Sequence, residues 1–331
     1  MKALVYNKNG RSSGLQQQEV NKPTPKKNKI LIKVIASCLN NAEIAKFRDA
    51  IKNGKTKQEE PATSEDPKNK ILGTDVAGVV IAVGSEVNKF KIGDEVFGIT
   101  GYFNNAWAQY ACLTEKNAAL KPNNLTFTES AAIPTAGGTA LAAIRKANIK
   151  PRQKVLVNGA TGGVGLFALQ MAQAAGAYVT AVCGGKNIEL VKKYGADEVV
   201  NYQEEDVTAH HLKDKYDVIL VINGYHSLKD YQRIMHYDGH LVIIGGKFSQ
   251  TATTMLFGPL MSLGRKKQLG ATSLVTLKGS WMDDLAEMAK REEIKPYLDQ
   301  IFFWEDADQA LIYAVEEHTQ GKISLSLEEE K

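Results

Sequence analysis

Only three cysteines occur in the 331 residues, Cys38, Cys112 and Cys183, far apart and odd in number, so no disulfide framework organises the chain. They read as small buried hydrophobes. The six histidines make no metal-ligand spacing: His210 and His211 are adjacent in a charged stretch, and His226, His236, His240 and His318 lie singly. No apolar run is long enough to span a bilayer, and residues 1–6 read as an opening strand rather than a signal peptide, which points to the cytoplasm. With 41 basic and 37 acidic residues the net charge is +4, and no basic block is present of the kind that tracks a nucleic-acid backbone. The densest basic run, 265–267, reads as a solvated loop. No internal repeat is evident. At 44% hydrophobic and 24% charged, the composition is that of an ordinary globular protein long enough for two domains.

Against this plain background one stretch stands out, Lys154-Val155-Leu156-Val157-Asn158-Gly159-Ala160-Thr161-Gly162-Gly163-Val164-Gly165. An apolar strand ends at a glycine turn and a helix begins. Gly159, Gly162 and Gly165, spaced three apart, allow a sharp turn, a close backbone approach and tight helix packing, while the helix's first N–H groups face an anion. The helix is expected over 163–175, with Val164, Phe167, Ala168, Met171 and Ala175 on its apolar stripe. Such a site holds a dinucleotide pyrophosphate, on Gly159, Gly162, Gly163, Val164 and Gly165. About twenty residues on, an NAD site places an acid; here the chain reads Val182-Cys183-Gly184-Gly185-Lys186-Asn187. The missing acid and the nearby Lys186 suit a 2′-phosphate, so NADPH is the expected cofactor.

Residues 1–122 are dominated by short strands, expected at 30–36, 76–83, 94–100 and 106–113. From 123 to 275 strand and helix alternate, with strands expected near 154–158, 178–183, 198–201, 217–222, 240–245 and 268–274. That alternation is the pattern of a doubly wound parallel sheet. The last part, 276–331, has a helix at 281–291, a strand at 301–304, a helix at 306–318 and a strand at 322–327, and returns to complete the first module. The polar, proline-bearing 52–70 segment reads as a mobile loop, either a surface excursion or a lid over substrate.

Several motifs in order resemble the medium-chain dehydrogenase/reductase superfamily, in its zinc-free quinone oxidoreductase and enone reductase branch. They are Gly73-Thr74-Asp75-Val76-Ala77-Gly78-Val79-Val80, Val83-Gly84, Lys91-Ile92-Gly93-Asp94-Glu95-Val96, Ala131-Ala132-Ile133-Pro134 with Gly138-Thr139-Ala140, the glycine turn, 194–202, and Gly321-Lys322-Ile323. The resemblance implies an α/β protein built of a GroES-like β-barrel catalytic domain and a Rossmann domain, with the active site in the cleft between them and a homodimer or higher oligomer as the usual assembly. Zinc relatives place Cys where this chain has Asn40, with Cys38 two residues away, and a His-Glu pair where it has Thr74-Asp75. Between Phe97 and Thr114 there is one cysteine where a structural zinc lobe needs four. Metal-free chemistry is therefore expected, on acceptors already activated by conjugation: quinones or α,β-unsaturated carbonyls.

Carried over position by position, the resemblance puts Asn40 near nicotinamide and substrate, where a turn-forming Asn is the alternative. Pro134 and Thr139 would line the nicotinamide. Lys186, Asn187 and Tyr202 would sit by the adenosine phosphate at Gly184. Asn223, Gly224, Ile244, Gly245 and Gly246 fall at carboxyl ends of sheet strands, and Lys322 approaches the cofactor from the returning tail. Asp75 reads as a supporting residue. Tyr102, with Phe103 and Trp107, would stack on a flat substrate or else form core. Relatives often carry a Tyr shortly after the Asn; here Ala45 and Phe47 stand nearby, so that proton donor is missing. An enoyl-thioester reductase and a non-catalytic NADPH-binding protein stay open as alternatives.

Overall fold

The computed structural model describes residues 1–6, 15–53, 71–101, 105–209, 213–224, 226–245, 268–317 and 319–328. Expectations placed on Tyr102, Phe103, His210, His211, Gly246, the 265–267 run, His318 and most of the 52–70 loop lie outside the described residues. The chain divides into two compact units. One comprises Met1–Thr135, Gly279–Glu292 and Pro296–Lys331, the other Ala136–Lys278 and Glu293–Lys295.

The first unit opens with β1 (Lys2–Tyr6), β2 (Leu15–Glu19) and β3 (Lys29–Cys38). Along β3 the residues Ile30, Ile32, Val34, Ala36 and Cys38 are all buried, the alternation a strand needs to cover a core with one face. Helix α1 (Asn41–Asn53) follows directly. Its polar composition hides it in the sequence, yet Ile44, Phe47 and Ile51 recur at helical spacing and pack on the core. Phe47 is thus a core residue, 2% exposed.

Next come β4 (Asp75–Val83), β5 (Glu95–Ile99), β6 (Tyr110–Thr114), β7 (Ala118–Leu120) and the short helix α2 (Phe127–Ala131). A reciprocal capping box between Thr126 and Glu129 starts α2. The strand expected at 106–113 begins later, because Trp107 turns inward as core, 1% exposed, and not outward to a substrate.

Helix α3 (Pro134–Ala147) leads into the second unit. There β8 (Lys154–Asn158), α4 (Gly163–Ala174), β9 (Tyr178–Cys183), α5 (Ile188–Lys193), β10 (Glu198–Asn201), β11 (Tyr216–Val221), α6 (Leu228–Ile234), β12 (Met235–Ile243) and β13 (Gln268–Ala271) alternate. The strands form one parallel sheet in the order β10-β9-β8-β11-β12-β13. Strand order reverses at β8, with β9 on one side and β11 on the other, and ligands of such sheets bind at that switch point. β12 starts five residues before the expected 240, since Met235 already pairs with Tyr216 ahead of a register shift.

The chain then returns to the first unit with a helix at Trp281–Lys290, β14 (Leu298–Phe303), a helix at Ala307–Glu316 and β15 (Lys322–Ser326). The returning strands extend the first sheet to seven, ordered β14-β15-β3-β4-β5-β7 with β6 also on β3. β15 lies antiparallel to β3, with Ser324 opposite Cys38. Two steps further in this register Lys322 comes opposite Asn40. Among the described residues, no helix is long and apolar enough to cross a membrane.

Burial pushes the Cys38 and Cys183 thiols up to about 11, and that of half-buried Cys112 up as well. Alkylation of the native protein near neutral pH should therefore spare Cys38 and Cys183, and peptide mapping should find them labelled only after denaturation. Ready labelling of either in the native state would contradict this packing.

Candidate active site

In the second unit the three spaced glycines do three different things. Gly159 turns the chain at the end of β8 with φ +90°, and a Cβ there would lie 2.8 Å from the Asn223 backbone nitrogen. Gly165 packs α4 on the turn, since its Cβ would lie 2.1 Å from the Gly159 carbonyl oxygen. Gly162 is different: a Cβ there would meet nothing within 4 Å. Among the described residues nothing requires a missing side chain at Gly162, whereas a ligand approaching the backbone would. Gly162 is also the cap residue of α4 and has no side chain with which to cap it. The first-turn N–H groups are thereby left to an anion, which fits a pyrophosphate.

Around this turn the strand ends supply the rest. Asn223 donates its N–H to the Asn158 carbonyl at 3.2 Å, and Gly224 lies under the Tyr231 hydroxyl, itself 2.6 Å from Asn158 Nδ2. Ile244 and Gly245 follow β12, their N–H groups directed to Val221 O. At the end of β9, Gly184 is buried, Lys186 exposed, Asn187 turned inward and Tyr202 half exposed. A Cβ on Gly184 would sit 3.4 Å from the Tyr202 hydroxyl, so these residues adjoin. Gln203 was not foreseen: its Oε1 accepts the Gly185 N–H at 3.0 Å and shapes the same loop. Thr139 is half-buried on α3.

In the first unit a buried polar network surrounds Asn40, which is 6% exposed. Lys322 Nζ donates to Asn40 Oδ1 at 2.6 Å and to Leu39 O at 2.5 Å. Asn40 Nδ2 donates to Asp75 Oδ2 at 3.1 Å. The other carboxylate oxygen of Asp75 accepts from the Thr135 hydroxyl at 2.5 Å and its N–H at 3.2 Å, next to Pro134. Glu43, fully buried, accepts from the Asn40 N–H at 3.0 Å and from the Thr74 hydroxyl at 2.8 Å. Burial raises the Asp75 carboxyl above its ordinary range, with the Lys322 charge opposing; burial and then the Asp75 charge raise Glu43.

The structure thus brings Asn40, Asp75 and Lys322 together. Lys322, expected beside the cofactor, is buried and engaged with Asn40. Thr135 and Glu43 were missed. The Asn40-x-x-Glu43 spacing is a helix-start signal that could have revealed Glu43, but nothing local ties Thr135 to Asp75.

The chemistry of this cluster bears on metal binding. Where ligands would be needed it offers the Asn40 amide bonded to the Asp75 carboxylate, and the Thr74 hydroxyl bonded to Glu43. The nearby Cys38 thiol donates to Ile323 O at 3.1 Å, and burial pushes it up to about 11. Among the described residues no three His, Cys, Asp or Glu side chains are grouped to hold a metal.

Comparison with known proteins gives two family matches: a family model described as alcohol dehydrogenase GroES-like domain over residues 26–139, and one described as zinc-binding dehydrogenase over residues 163–301. A chloroplastic quinone oxidoreductase of Triphysaria versicolor is 31% identical over 98% of this chain and 97% of its own length. A chloroplastic NADPH-dependent alkenal/one oxidoreductase of Arabidopsis thaliana is 29% identical over 98% of this chain and 78% of its own. The solved quinone oxidoreductase of Coxiella burnetii superposes with a TM-score of 0.81 at 26% identity, covering 99% of both chains.

Because no described residue lies within 4 Å of a Cβ at Gly162, Gly162→Ala should leave the melting temperature unchanged and weaken dinucleotide binding, whereas Gly165→Ala should lower both. Calorimetry with and without the nucleotide separates the two. Undiminished nucleotide affinity in a folded Gly162→Ala protein would remove the loop from the site.

Proposed function

Because the chain belongs to the medium-chain dehydrogenase/reductase superfamily, in its quinone oxidoreductase and enone reductase branch, we propose that it is a zinc-independent, NADPH-dependent reductase of quinones or α,β-unsaturated carbonyls. The observation that carries the reading is the donor chemistry around Asn40. The positions that hold metal in zinc relatives here present an amide N–H in place of a Lewis acid. Asn40 donates to the carbonyl oxygen of the acceptor and stabilises the negative charge that builds there. One hydrogen bond is a weaker activator than a metal ion, so acceptors already activated by conjugation are favoured over simple ketones. When bound, the nicotinamide supplies a hydride. Gly159, Gly162 and Gly165 shape its pyrophosphate loop, and Lys186 with Tyr202, at a strand end that carries no acid, favours a 2′-phosphate. Near Asn40, Phe47 is core and supplies no tyrosine hydroxyl as proton donor.

We extend the reading to a homodimer in a reducing compartment such as the cytoplasm. Family membership supports the first, and three unpaired cysteines support the second.

Loss of NADPH absorbance with phenanthrenequinone, benzoquinone and a short enone tests the activity. Tight NADPH binding without oxidation by any of them would leave a binding protein. Lys186→Asp should weaken NADPH by about tenfold, on the order of 1.4 kcal/mol, and leave NADH nearly unaffected. An unchanged NADPH/NADH preference would overturn the cofactor assignment.

A further inference from the structure

Asn40 lies between β3 and α1 and caps α1, and its carbonyl accepts the Ile44 N–H as a cap residue's should. A capping Asn ordinarily turns its side-chain oxygen onto the N–H groups of the first helical turn. This one does not follow that pattern. Its oxygen takes Lys322 and its nitrogen gives to Asp75, and the helix start receives Glu43 Oε2 on the Asn40 N–H. A stabilising local bond has been exchanged for a buried link to residues far along the chain, a pattern expected where function competes with local preference.

The partners admit one orientation of the amide. An ammonium has only donors and must face the amide oxygen. Asp75 receives two donors from Thr135 on one oxygen and can take only a donor from Asn40 on the other. Of the two Nδ2 hydrogens one goes to Asp75, and among the described residues no protein atom takes the second. Asn40 is therefore fixed as a donor, never an acceptor, toward whatever meets its small opening. A cation on the oxygen of an amide also polarises its N–H groups, which strengthens the bond they give.

The placement of Lys322 is built into the fold. The register of β15 on β3 sets it opposite Asn40, and the Leu39 N–H reaches Ile323 O at 3.0 Å. Gly321 makes the approach with φ +56°, where a Cβ would lie 2.2 Å from Tyr297 O.

We propose that Lys322 is a positioning residue of the active site: it locks and polarises the Asn40 amide as a hydrogen-bond donor and so restricts the acceptor to molecules that present a bare carbonyl or quinone oxygen. This rests on the reading of Asn40 as the group that meets the acceptor. The competing role is a structural staple fastening β15 to β3, which would affect stability without acting through Asn40.

A double-mutant cycle separates them, with kcat and KM for a quinone, the NADPH dissociation constant and the melting temperature measured for each folded protein. Asn40→Ala should lower the quinone kcat/KM with NADPH binding unchanged; if it does not, the role of Asn40 itself fails, and the proposal with it. Lys322→Met should lower kcat/KM by about tenfold, the scale of losing a partner that holds a reacting group. Lys322→Gln, which can still donate to Asn40 Oδ1, should fall between. In the Asn40→Ala background neither should cost anything further. A Lys322 loss that persists in full without Asn40, or a weakening of NADPH binding equal to the loss in kcat/KM, would overturn the proposal. Should Lys322→Met fail to fold, the Lys322→Gln cycle decides. A loss abolished by Asn40→Ala supports the role, and a loss that persists, or no loss in either background, refutes it.

Discussion

A side-chain amide held between a lysine and a carboxylate has lost its freedom to turn over, and much of the first unit is arranged to hold Asn40 that way. β3 leads to Asn40, β4 begins with Asp75, β15 begins with Lys322, and the start of α3 brings Thr135 to the second oxygen of Asp75. Burying two carboxylates and a lysine is costly, and such a group is weak evidence for stability. Each charge here is hydrogen-bonded, and the arrangement fixes direction. That is the property a donor needs if it is to meet charge as it develops, without reorganising.

The second unit meets a different constraint by different means. Its glycine loop is shaped twice by close packing, at Gly159 and Gly165, and once by open space, at Gly162. The two units thus divide the chemistry. In the proposed reading one presents backbone N–H groups to an anion and the other a single N–H to a neutral oxygen; among the described residues no three His, Cys, Asp or Glu side chains are grouped to hold a metal.

How much of this could be read from the sequence follows from the range of each interaction. The glycine loop was legible because its signals lie within the 22 consecutive residues 154–175: an apolar strand, spaced glycines and a helical stripe. The parallel strands were legible for the same reason, although β12 begins earlier than its apolar run because pairing with β11, not hydrophobicity, sets its start. Helix α1 was hidden by its polar face. The link of Lys322 to Asn40 was illegible: the two are 282 residues apart, and only the register of β15 on β3 joins them. Trp107, in turn, shows that an aromatic residue near a suspected site can be claimed by the core.

In the proposed reading the amide of Asn40 does, for an activated acceptor, what a metal does in zinc relatives. The most direct measurement is quinone turnover by the protein after exhaustive chelation, alongside elemental analysis of the same sample. Full turnover with zinc far below one per chain is the expected result. One zinc per chain, with turnover lost on its removal and regained on its return, would contradict the account.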